Sequence, residues 1–474
     1  MQVNLNQNKN LKLFKTISEV AARSGRSVYI VGGYVRDLLM QRKAPTDIDF
    51  VTEQSGTDLA EEVARTLNPK IKVAHFKTYG TAMFRYKDLD LEFVGARRES
   101  YSENSRKPAV ETGTLEDDQK RRDFTVNALA ISLNHDNFGE LIDPFGGIQD
   151  LQNKLLRTPL DPVRTYSDDP LRMMRAIRFA STLQFEIEEH SLQAIRQEAE
   201  RIKIVSMERI MTEFNKIMLS AQPSRGLKLM EETGLLQLII PELTALKGIE
   251  EKEGQTHKDN FWHTLEVVDN ISKDTQSLWL RWAALLHDIG KAPTKKFSKE
   301  IGWSFHGHEF VGSKMVKTLF QRLKLPLGAE MKYVQKMVRL SSRPIALVTD
   351  DASDSALRRL LFDSGEDLDD LFTLCKADIT TKNKRKQQQF KKNFDYVEQK
   401  IREVEEKDQV RNFQPPVTGE EIMQKFNIGP SREIGILKEK VKEAILDGEI
   451  PNEKTAAMEY VLREAEQLGL KAVY

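Results

Sequence analysis

Apolar positions follow two different spacings along this chain. In the first third, short apolar runs bounded by turn residues predict strands at 28–31, 47–52, 71–76, 81–86, 89–95 and 126–133. Apolar residues at helical spacing predict helices over 11–22, directly after Gly33 and near 57–67. Strands that interleave with helices in this way predict an α/β domain over residues 1–150.

Strand patterns largely disappear after residue 150. Amphipathic helices are predicted over 171–183, 191–202 and 206–219, and the remainder is mainly helical in pattern. A polar stretch without apolar periodicity, 98–120, predicts a mobile loop. These changes in pattern, together with a basic run from Lys382 to Lys392, predict four segments: 1–150, 151–225, 226–392 and 393–474.

Composition and charge exclude several classes of protein. The chain has 474 residues, of which 72 are basic and 72 acidic, so its formal net charge is zero. Proteins that coat nucleic acid without specificity are usually basic overall, although a local basic surface stays possible. The single cysteine, Cys375, fits a reducing, cytoplasmic environment, and neither a signal peptide nor a membrane-spanning stretch is expected.

The segment GGYVRD carries the first chemical signal. A buried strand ends at Gly32-Gly33, and a helical pattern begins directly after them. A glycine turn that leads into a helix presents backbone N–H groups to phosphate, and Arg36 adds a cation one turn later. A Gly-Gly pair alone is most often just a turn, so this signal depends on what accompanies it.

A pair of carboxylates follows in the next predicted strand. Asp47 and Asp49 lie on one face of that strand, because side chains alternate along a strand. Two such carboxylates repel each other unless a cation lies between them, which suits Mg²⁺ ions that hold a nucleoside triphosphate. Glu92, in the strand 89–95, offers a third carboxylate. Each acidic residue alone is more often a solvated strand residue.

Two further segments combine arginines with carboxylates. In Arg121-Arg122-Asp123-Phe124-Thr125-Val126-Asn127, guanidinium groups match phosphate oxygens, and Asp or Asn matches ribose hydroxyls. The segment 168–179 reads as a helix start with Pro170 in the first turn. Its basic residues recur every three positions and so share one broad face: Arg172, Arg175 and Arg178. A capped helix with a solvated basic side is the alternative.

In this order, GGYVRD, TDIDF, RRDFTVNA and DDPLRMMRAIRFA resemble the motifs of the class II nucleotidyltransferases of the polymerase-beta superfamily. This family contains CCA-adding tRNA nucleotidyltransferases and bacterial poly(A) polymerases. The resemblance covers about residues 25–220, and ERIMTEFNKIM at 208–218 resembles the family's next helical motif. The family usually has Glu-Asp where this chain has Asp168-Asp169. This conservative difference falls on Asp168, to which no base contact is assigned.

The resemblance implies a role for each matching residue. Asp47 and Asp49 would bind catalytic Mg²⁺ with support from Glu92, and Asp169 with Arg172 would pair with the base of CTP or ATP. The resemblance implies further nucleotide-binding residues, which would contact the triphosphate or the ribose or belong to the basic helix face: Gly32, Gly33, Arg36, Arg122, Asp123, Asn127, Arg175 and Arg178. A carboxylate and a guanidinium offer acceptors and donors to a Watson–Crick edge.

A second set of residues resembles an HD-type metal phosphohydrolase over about 255–385. His263, His287-Asp288 and Asp378 form this set, and imidazole and carboxylate ligands suit a divalent metal: Mg²⁺, Mn²⁺ or Ni²⁺. His306 and His308 could serve a second metal or a phosphate. Whether such a domain hydrolyses a substrate or only binds metal is not decided by the residues.

Together the resemblances imply an α+β fold: a polymerase-beta-like nucleotidyltransferase α/β head, an all-α neck, an HD-type helical domain and a helical tail that contacts tRNA. The expected reaction adds CCA to the tRNA 3′ end from CTP and ATP. The alternatives are a CC-adding or A-adding enzyme and a bacterial poly(A) polymerase, from which a strongly basic extension would be expected. A phosphohydrolase with a degenerate head and an RNA-binding scaffold are weaker alternatives. The oligomeric state stays unknown.

Overall fold

The structure is a computed structural model that describes residues 1–42, 45–76, 80–102, 105–349, 353–381, 383–408 and 414–472. The chain divides into two compact units, Met1–Pro241 and Glu242–Tyr474. The four segments predicted above stay a prediction. Among the described residues, no helix combines the length and the apolar character needed to cross a membrane.

The first unit begins with an α/β part and ends with helices. In chain order its elements are α1 (Leu11–Arg23), β1 (Tyr29–Val31), α2 (Gly33–Leu39), β2 (Asp47–Thr52), α3 (Gly56–Leu67), β3 (Ala74–Phe76), β4 (Thr81–Tyr86), β5 (Leu89–Gly95), β6 (Arg97–Ser102), β7 (Ser105–Thr112), α4 (Leu115–Lys120), β8 (Ala130–Ser132), β9 (Leu141–Ile142), α5 (Gly147–Asn153), β10 (Leu155–Leu156), α6 (Pro162–Asp168), α7 (Leu171–Leu183), β11 (Glu186–Ile187), α8 (Glu189–Glu198), α9 (Met207–Met218), α10 (Pro223–Glu232) and α11 (Leu235–Ile239).

A seven-stranded sheet organises this unit, with the strand order β3-β4-β5-β2-β1-β8-β9. Its pairs are antiparallel except for β2 and β5, which are parallel. The parallel register sets Asp49 opposite Glu92. Because both residues occupy the same face of adjacent strands, two carboxylates distant in sequence become neighbours.

The opposite face of the sheet is apolar and holds the strands in this register. Ile48 and Phe50 of β2 and Leu91 and Phe93 of β5 are buried in one core. The rings of Phe50 and Phe93 are stacked with centroids 4.8 Å apart. A one-residue slip would move these side chains out of the core, so burial of one face determines which carboxylates lie on the other.

The second unit is mainly helical. Helix α12 (Pro241–Thr244) crosses the boundary, and the following elements are β12 (Glu251–Lys252), β13 (Gln255–Thr256), α13 (Asn260–Asp274), α14 (Leu278–Leu286), α15 (Lys291–Thr294), β14 (Lys296–Ser298), β15 (Gly302–Ser304), α16 (His308–Arg322), α17 (Ala329–Leu340), α18 (Arg343–Thr349), α19 (Asp354–Ser364), α20 (Leu368–Asp378), α21 (Lys384–Asp408), α22 (Gly419–Phe426), α23 (Arg432–Asp447) and α24 (Lys454–Gln467).

Two sequence expectations about local structure are wrong. The loop predicted over 98–120 is instead an antiparallel hairpin of β6 and β7 followed by α4, with residues 103–104 outside the described ranges. Its backbone pairing needs no apolar side chains, so apolar periodicity could not reveal it. The strand predicted over 126–133 is split: a 3₁₀ turn occupies Thr125–Asn127, and only Ala130–Ser132 is extended.

Candidate functional site

Gly32 forms a turn that only glycine adopts without strain. Its backbone has φ 76° and ψ −141° at the junction of β1 and α2. A Cβ atom there would lie 3.0 Å from Arg122 Nη1 and 3.3 Å from Asp49 Oδ2. The glycine therefore lets a guanidinium and a carboxylate approach the backbone together.

The carboxylates on the sheet face are crowded. Asp47 is exposed and Asp49 is half-buried. Burial raises the pKa of Asp49, and nearby Asp47 and Asp118 raise it further against the opposing charge of Arg122. Burial also raises the pKa of Glu92, and the charge of Asp49 adds to this effect. Such carboxylates fit a divalent cation, which would stabilise their ionised forms.

Arg122 is oriented by a buried partner, Asp118. The Nε of Arg122 donates to Asp118 Oδ2 at 3.0 Å, and its Nη2 lies 2.9 Å from the same oxygen. Arg121 donates from Nε to the other oxygen at 3.0 Å. Asp118 lies in the segment expected to be a loop, so sequence reasoning missed it. The capping box of Thr114 with Asp117 was a readable signal for its helix.

Three residues predicted to contact phosphate or ribose are buried together. Arg36 Nη1 donates to Asn127 Oδ1 at 2.7 Å, and Asn127 Nδ2 donates to Asp123 Oδ1 at 2.9 Å. Arg175 donates from Nε to Asp123 Oδ2 at 2.7 Å. Burial raises the pKa of Asp123, but Arg175 and the hydrogen bonds outweigh it and lower the pKa to about 2. This chain of bonds ties α2 to α7.

Helix α7 presents its three arginines on one partly exposed face between buried apolar residues. Arg172 donates from Nη2 to the backbone carbonyl of Arg121 at 2.6 Å. Arg178 forms an ion pair with buried Glu213 of α9. Asp169, just before the helix, accepts from the Leu171 backbone N–H at 3.3 Å. These partners show that the basic face is packed rather than simply solvated.

One cavity of about 320 Å³ brings the predicted residues of the head together. Asp49 and Glu92 line it from the sheet, and Asp169, between α6 and α7, and Arg172 of α7 line it from the helical side. The other residues around it are Val51, Thr81, Val94, Arg97, Arg121, Arg122, Asp123, Leu171, Arg175 and Arg209. Among the described residues predicted for this site, Gly32, Gly33, Arg36, Asp47, Asn127 and Arg178 do not line it. Sequence reasoning missed Arg97 and Arg209.

The second unit holds a tight histidine–aspartate cluster. The ligand atoms of His263, His287 and Asp378 all lie within 4.8 Å of one another, and no other group of three or more potential ligands in the described part of the chain does so. His263 Nε2 lies 2.7 Å from Asp378 Oδ1, and His287 Nε2 lies 3.6 Å from it. Asp288 Oδ2 is 3.4 Å from His287 Nε2.

The surroundings of His287 fit a metal ligand. Its Nδ1 lies 2.8 Å from the Ala284 carbonyl, which leaves Nε2 facing the carboxylates. This buried Nε2 has no hydrogen-bond partner in the described part of the chain. Burial lowers the pKa of His287, but Asp288 and Asp378 outweigh it and raise the pKa to about 10. A protonated imidazole and a bound divalent cation are alternative ways to balance these carboxylates.

Residues around the cluster extend it on two sides. His308 Nε2 lies 3.5 Å from Asp288 Oδ1, whereas His306 is exposed. Lys258, which sequence reasoning missed, lies with Nζ 2.8 Å from His263 Nδ1 and 2.7 Å from Thr380 Oγ1. No apolar pattern marks such a lysine, so only the folded chain identifies it.

Three family models match the chain. "Poly A polymerase head domain" covers residues 28–157, "Probable RNA and SrmB-binding site of polymerase A" covers 184–247, and "HD domain" covers 260–369. Nucleotidyltransferase heads and HD domains generally use divalent metals. These matches confirm the recognised head and the HD domain, whereas the roles predicted for individual residues stay predictions.

Similar proteins identify the family. The chain is 34% identical to the A-adding tRNA nucleotidyltransferase of Deinococcus radiodurans, over 74% of this chain and 80% of that protein. It is 30% identical to the CCA-adding enzyme of Bacillus velezensis, over 93% of this chain and 94% of that protein. The chain belongs to the tRNA nucleotidyltransferase family. The nucleotidyltransferase activity expected from the ordered motifs is thereby confirmed.

Solved structures confirm the fold expected for a tRNA nucleotidyltransferase. The crystal structure of the Bacillus stearothermophilus CCA-adding enzyme in complex with CTP aligns with a TM-score of 0.67 and 22% identity, over 98% of this chain and 99% of that chain. A tRNA nucleotidyltransferase complexed with a primer tRNA and an incoming ATP analog aligns with a TM-score of 0.58 and 25% identity, over 82% of this chain and 99% of that chain. The α+β architecture of head and helices is therefore shown.

Proposed function

We propose that this nucleotidyltransferase completes the CCA end of tRNA from CTP and ATP. The observation that carries the proposal is the cavity that Asp49 and Glu92 share with Asp169 and Arg172. One end offers carboxylates to a metal–triphosphate, and the other offers an acceptor and donors to a base edge. A single nucleotide bound across the cavity would meet both.

The carboxylates on the sheet face would hold Mg²⁺: Asp47, Asp49 and Glu92. Bound Mg²⁺ would supply charge neutralisation at the triphosphate and a more acidic attacking 3′-hydroxyl. Around it, Arg122 would hold phosphate oxygens beside the Gly32-Gly33 turn. The residues themselves contribute position and charge rather than covalent chemistry, so pyrophosphate leaves from an oriented nucleotide.

Base selection is assigned to Asp169 and Arg172. The bond from Arg172 to the Arg121 carbonyl restricts the orientation of its guanidinium, which favours a fixed pattern of donors. Asp123 and Arg175 line the same cavity and would contact the sugar and phosphates. Arg36 and Asn127 are engaged with each other, and they would act on the nucleotide by holding Asp123 in place. Arg178 would orient α7 through its ion pair with Glu213.

Incubation of the protein with tRNA that lacks CCA tests this proposal. We expect two additions with CTP alone, none with ATP alone, and three with both, when products are separated at single-nucleotide resolution. Arrest after two residues with both nucleotides would identify a CC-adding enzyme. Addition of A only to tRNA that already ends in CC would identify an A-adding enzyme, as the similar protein of Deinococcus radiodurans is named. Long A tracts on many RNAs would identify a poly(A) polymerase.

A second candidate function belongs to the other unit. The cluster of His263, His287, Asp288 and Asp378 would hold a divalent metal, with Mg²⁺, Mn²⁺ and Ni²⁺ as candidates. Such a metal would supply an activated water for the hydrolysis of phosphate esters. Assays of cyclic phosphates and phosphate monoesters with each metal test this function. Metal binding without hydrolysis would indicate that this unit is a structural arm that supports the tRNA.

A cytoplasmic location stays a prediction.

A further inference from the structure

Asp118 is a fully buried acidic residue beside the nucleotide cavity. Its side chain is 0% exposed and does not itself line the cavity. The helix that carries it, α4, is held at both ends. The Leu115 backbone N–H donates to Glu53 Oε1 at 2.9 Å, and Gln119 Nε2 donates to the Ala128 carbonyl at 2.6 Å. The carboxylate therefore occupies a defined position in the head.

Both oxygens of Asp118 are used by arginines. Oδ1 accepts from Arg121 Nε, and Oδ2 accepts from Arg122 Nε, each at 3.0 Å. Burial raises the pKa of Asp118, but the two guanidinium groups outweigh it and hold the pKa below its usual value. Asp118 is ionised and buried, whereas Arg121 and Arg122 line the cavity. Asp118 therefore orients two cations toward a ligand that it does not itself contact.

The two arginines connect Asp118 to opposite ends of the proposed nucleotide site. With Nε and Nη2 of Arg122 on Asp118, its Nη1 remains beside Gly32, where a Cβ atom would be 3.0 Å away. The backbone carbonyl of Arg121 accepts from Arg172 Nη2 at 2.6 Å. One buried carboxylate thus orients the guanidinium at the phosphate turn and the segment that anchors the base-reading arginine.

We propose that Asp118 is a positioning residue that couples triphosphate binding to base selection through Arg122 and Arg121. This inference rests on the proposed function, because it uses the nucleotide contacts assigned there to Arg122 and Arg172. It assigns to α4 a part in nucleotide selection that is carried by the buried ion pairs of Asp118 rather than by a contact with the substrate.

The substitution Asp118→Asn keeps the size of the side chain and removes its charge. We expect the KM for CTP and for ATP to rise about ten- to hundredfold, the range for loss of a charged hydrogen bond. Misincorporation of UTP and GTP should increase in the same variant. The matched control is Glu464→Gln, since Glu464 is 8% exposed and pairs with Lys440 Nζ at 2.7 Å, and neither residue lines the cavity. The control should lower thermal stability without changing KM or nucleotide choice.

A double-mutant cycle separates positioning from a general structural role. In an Arg122→Ala background, Asp118→Asn should raise KM no further, because its effect on phosphate binding passes through Arg122. Independent, additive effects would overturn the proposal, as would an unchanged KM in Asp118→Asn beside a raised KM in Arg122→Ala. If Arg122→Ala itself leaves KM unchanged, the assignment of Arg122 in the proposed function fails, and the coupling falls with it.

Asp118→Glu provides a second variant in case Asp118→Asn does not fold. It keeps the charge but lengthens the side chain, so we expect a smaller rise in KM and a partial return of CTP and ATP selectivity. Glu464→Asp is its control, because it likewise keeps the charge and changes the length of a buried, ion-paired side chain. Suppose that Arg122→Ala raises KM but Asp118→Glu keeps the wild-type KM and selectivity. The position of this carboxylate would then not determine nucleotide binding, and the proposal would be wrong.

Discussion

The head cavity and the histidine–aspartate cluster both use buried acidic residues, but they are built around different volumes. In the head, arginines and carboxylates surround a cavity of about 320 Å³. In the second unit, the ligand atoms of His263, His287 and Asp378 lie within 4.8 Å of one another. The first arrangement has room for a nucleotide, and the second has room for an ion. The spacing of the charged groups is one difference between the two sites.

The two sites also balance their negative charge differently. Arginines cannot be deprotonated in proteins, so Asp118 and Asp123 have permanent cationic partners. In the cluster, the partners of Asp378 include two imidazoles, which can exchange a proton for a metal. The arginine side of the head cavity therefore suits an anion, whereas the cluster suits a cation.

The largest expected effect comes from removal of the head carboxylates. Asp49→Ala or Asp47→Ala should reduce nucleotide addition by at least about 10³-fold, as expected when a main source of charge stabilisation is lost. Gel assays of CTP and ATP addition measure this loss. tRNA binding, thermal unfolding and metal content of the second unit should be preserved.

Asp90→Ala is the control for the carboxylates, because Asp90 lies opposite Asp47 in the β2–β5 register but is assigned no contact with metal or nucleotide. It should leave addition largely intact. Substantial addition in both Asp47→Ala and Asp49→Ala would contradict the assigned metal carboxylates.

Removal of cluster ligands should have the opposite pattern. Metal binding should weaken in each of three variants: His287→Ala, Asp288→Ala and Asp378→Ala. The loss should exceed the about 10- to 100-fold expected when a residue that only supports a metal ligand is replaced. Each variant should also lose any phosphate-ester hydrolysis. CCA addition should stay largely intact, because Asp47 and Asp49 are unchanged. Metal analysis and both activity assays on one preparation provide the measurement. Loss of nucleotide addition in a folded variant that still binds tRNA would break the two-site comparison.

Arg172→Ala should affect nucleotide choice more than triphosphate binding. Loss of a paired base contact is expected to reduce discrimination by about 1–3 kcal/mol, which is roughly 5- to 150-fold. Competition of CTP and ATP with UTP and GTP measures this change. If the preference against UTP and GTP is unchanged, Asp169 and Arg172 do not read the base.

The smallest expected effect concerns the turn at the phosphate end. Gly32→Ala should cost about 1–3 kcal/mol of stability through backbone strain and displace Arg122 or Asp49, so KM should also rise. Gly25→Ala is a matched control, because Gly25 has φ 65° and a Cβ atom added there would meet no atom of the described residues within 4 Å. This control should lower the stability of the protein without raising KM. Equal KM values in the two variants would show that the approach of Arg122 to the turn is not used in binding.

Local patterns predicted much of the fold. Strands over 47–52 and 89–95 and the helix over 171–183 have the bounds observed for β2, β5 and α7. Alternation along β2 was sufficient to place Asp47 and Asp49 on one face. The hairpin of β6 and β7 could not be predicted in this way, because its sequence is polar and shows no apolar periodicity. The short hairpins of the second unit were missed for the same reason.

By itself, the sequence determined which chemical groups this protein has and in what order, because motifs and periodicities are local properties of the chain. Only the tertiary structure decided which of those groups contact one another. Arg36 meets Asn127 across a sequence separation of 91 residues, and Arg172 meets the Arg121 carbonyl across 51. Burial makes such pairings obligatory, since a charge removed from water needs a partner, and only the folded chain determines which partner is within reach.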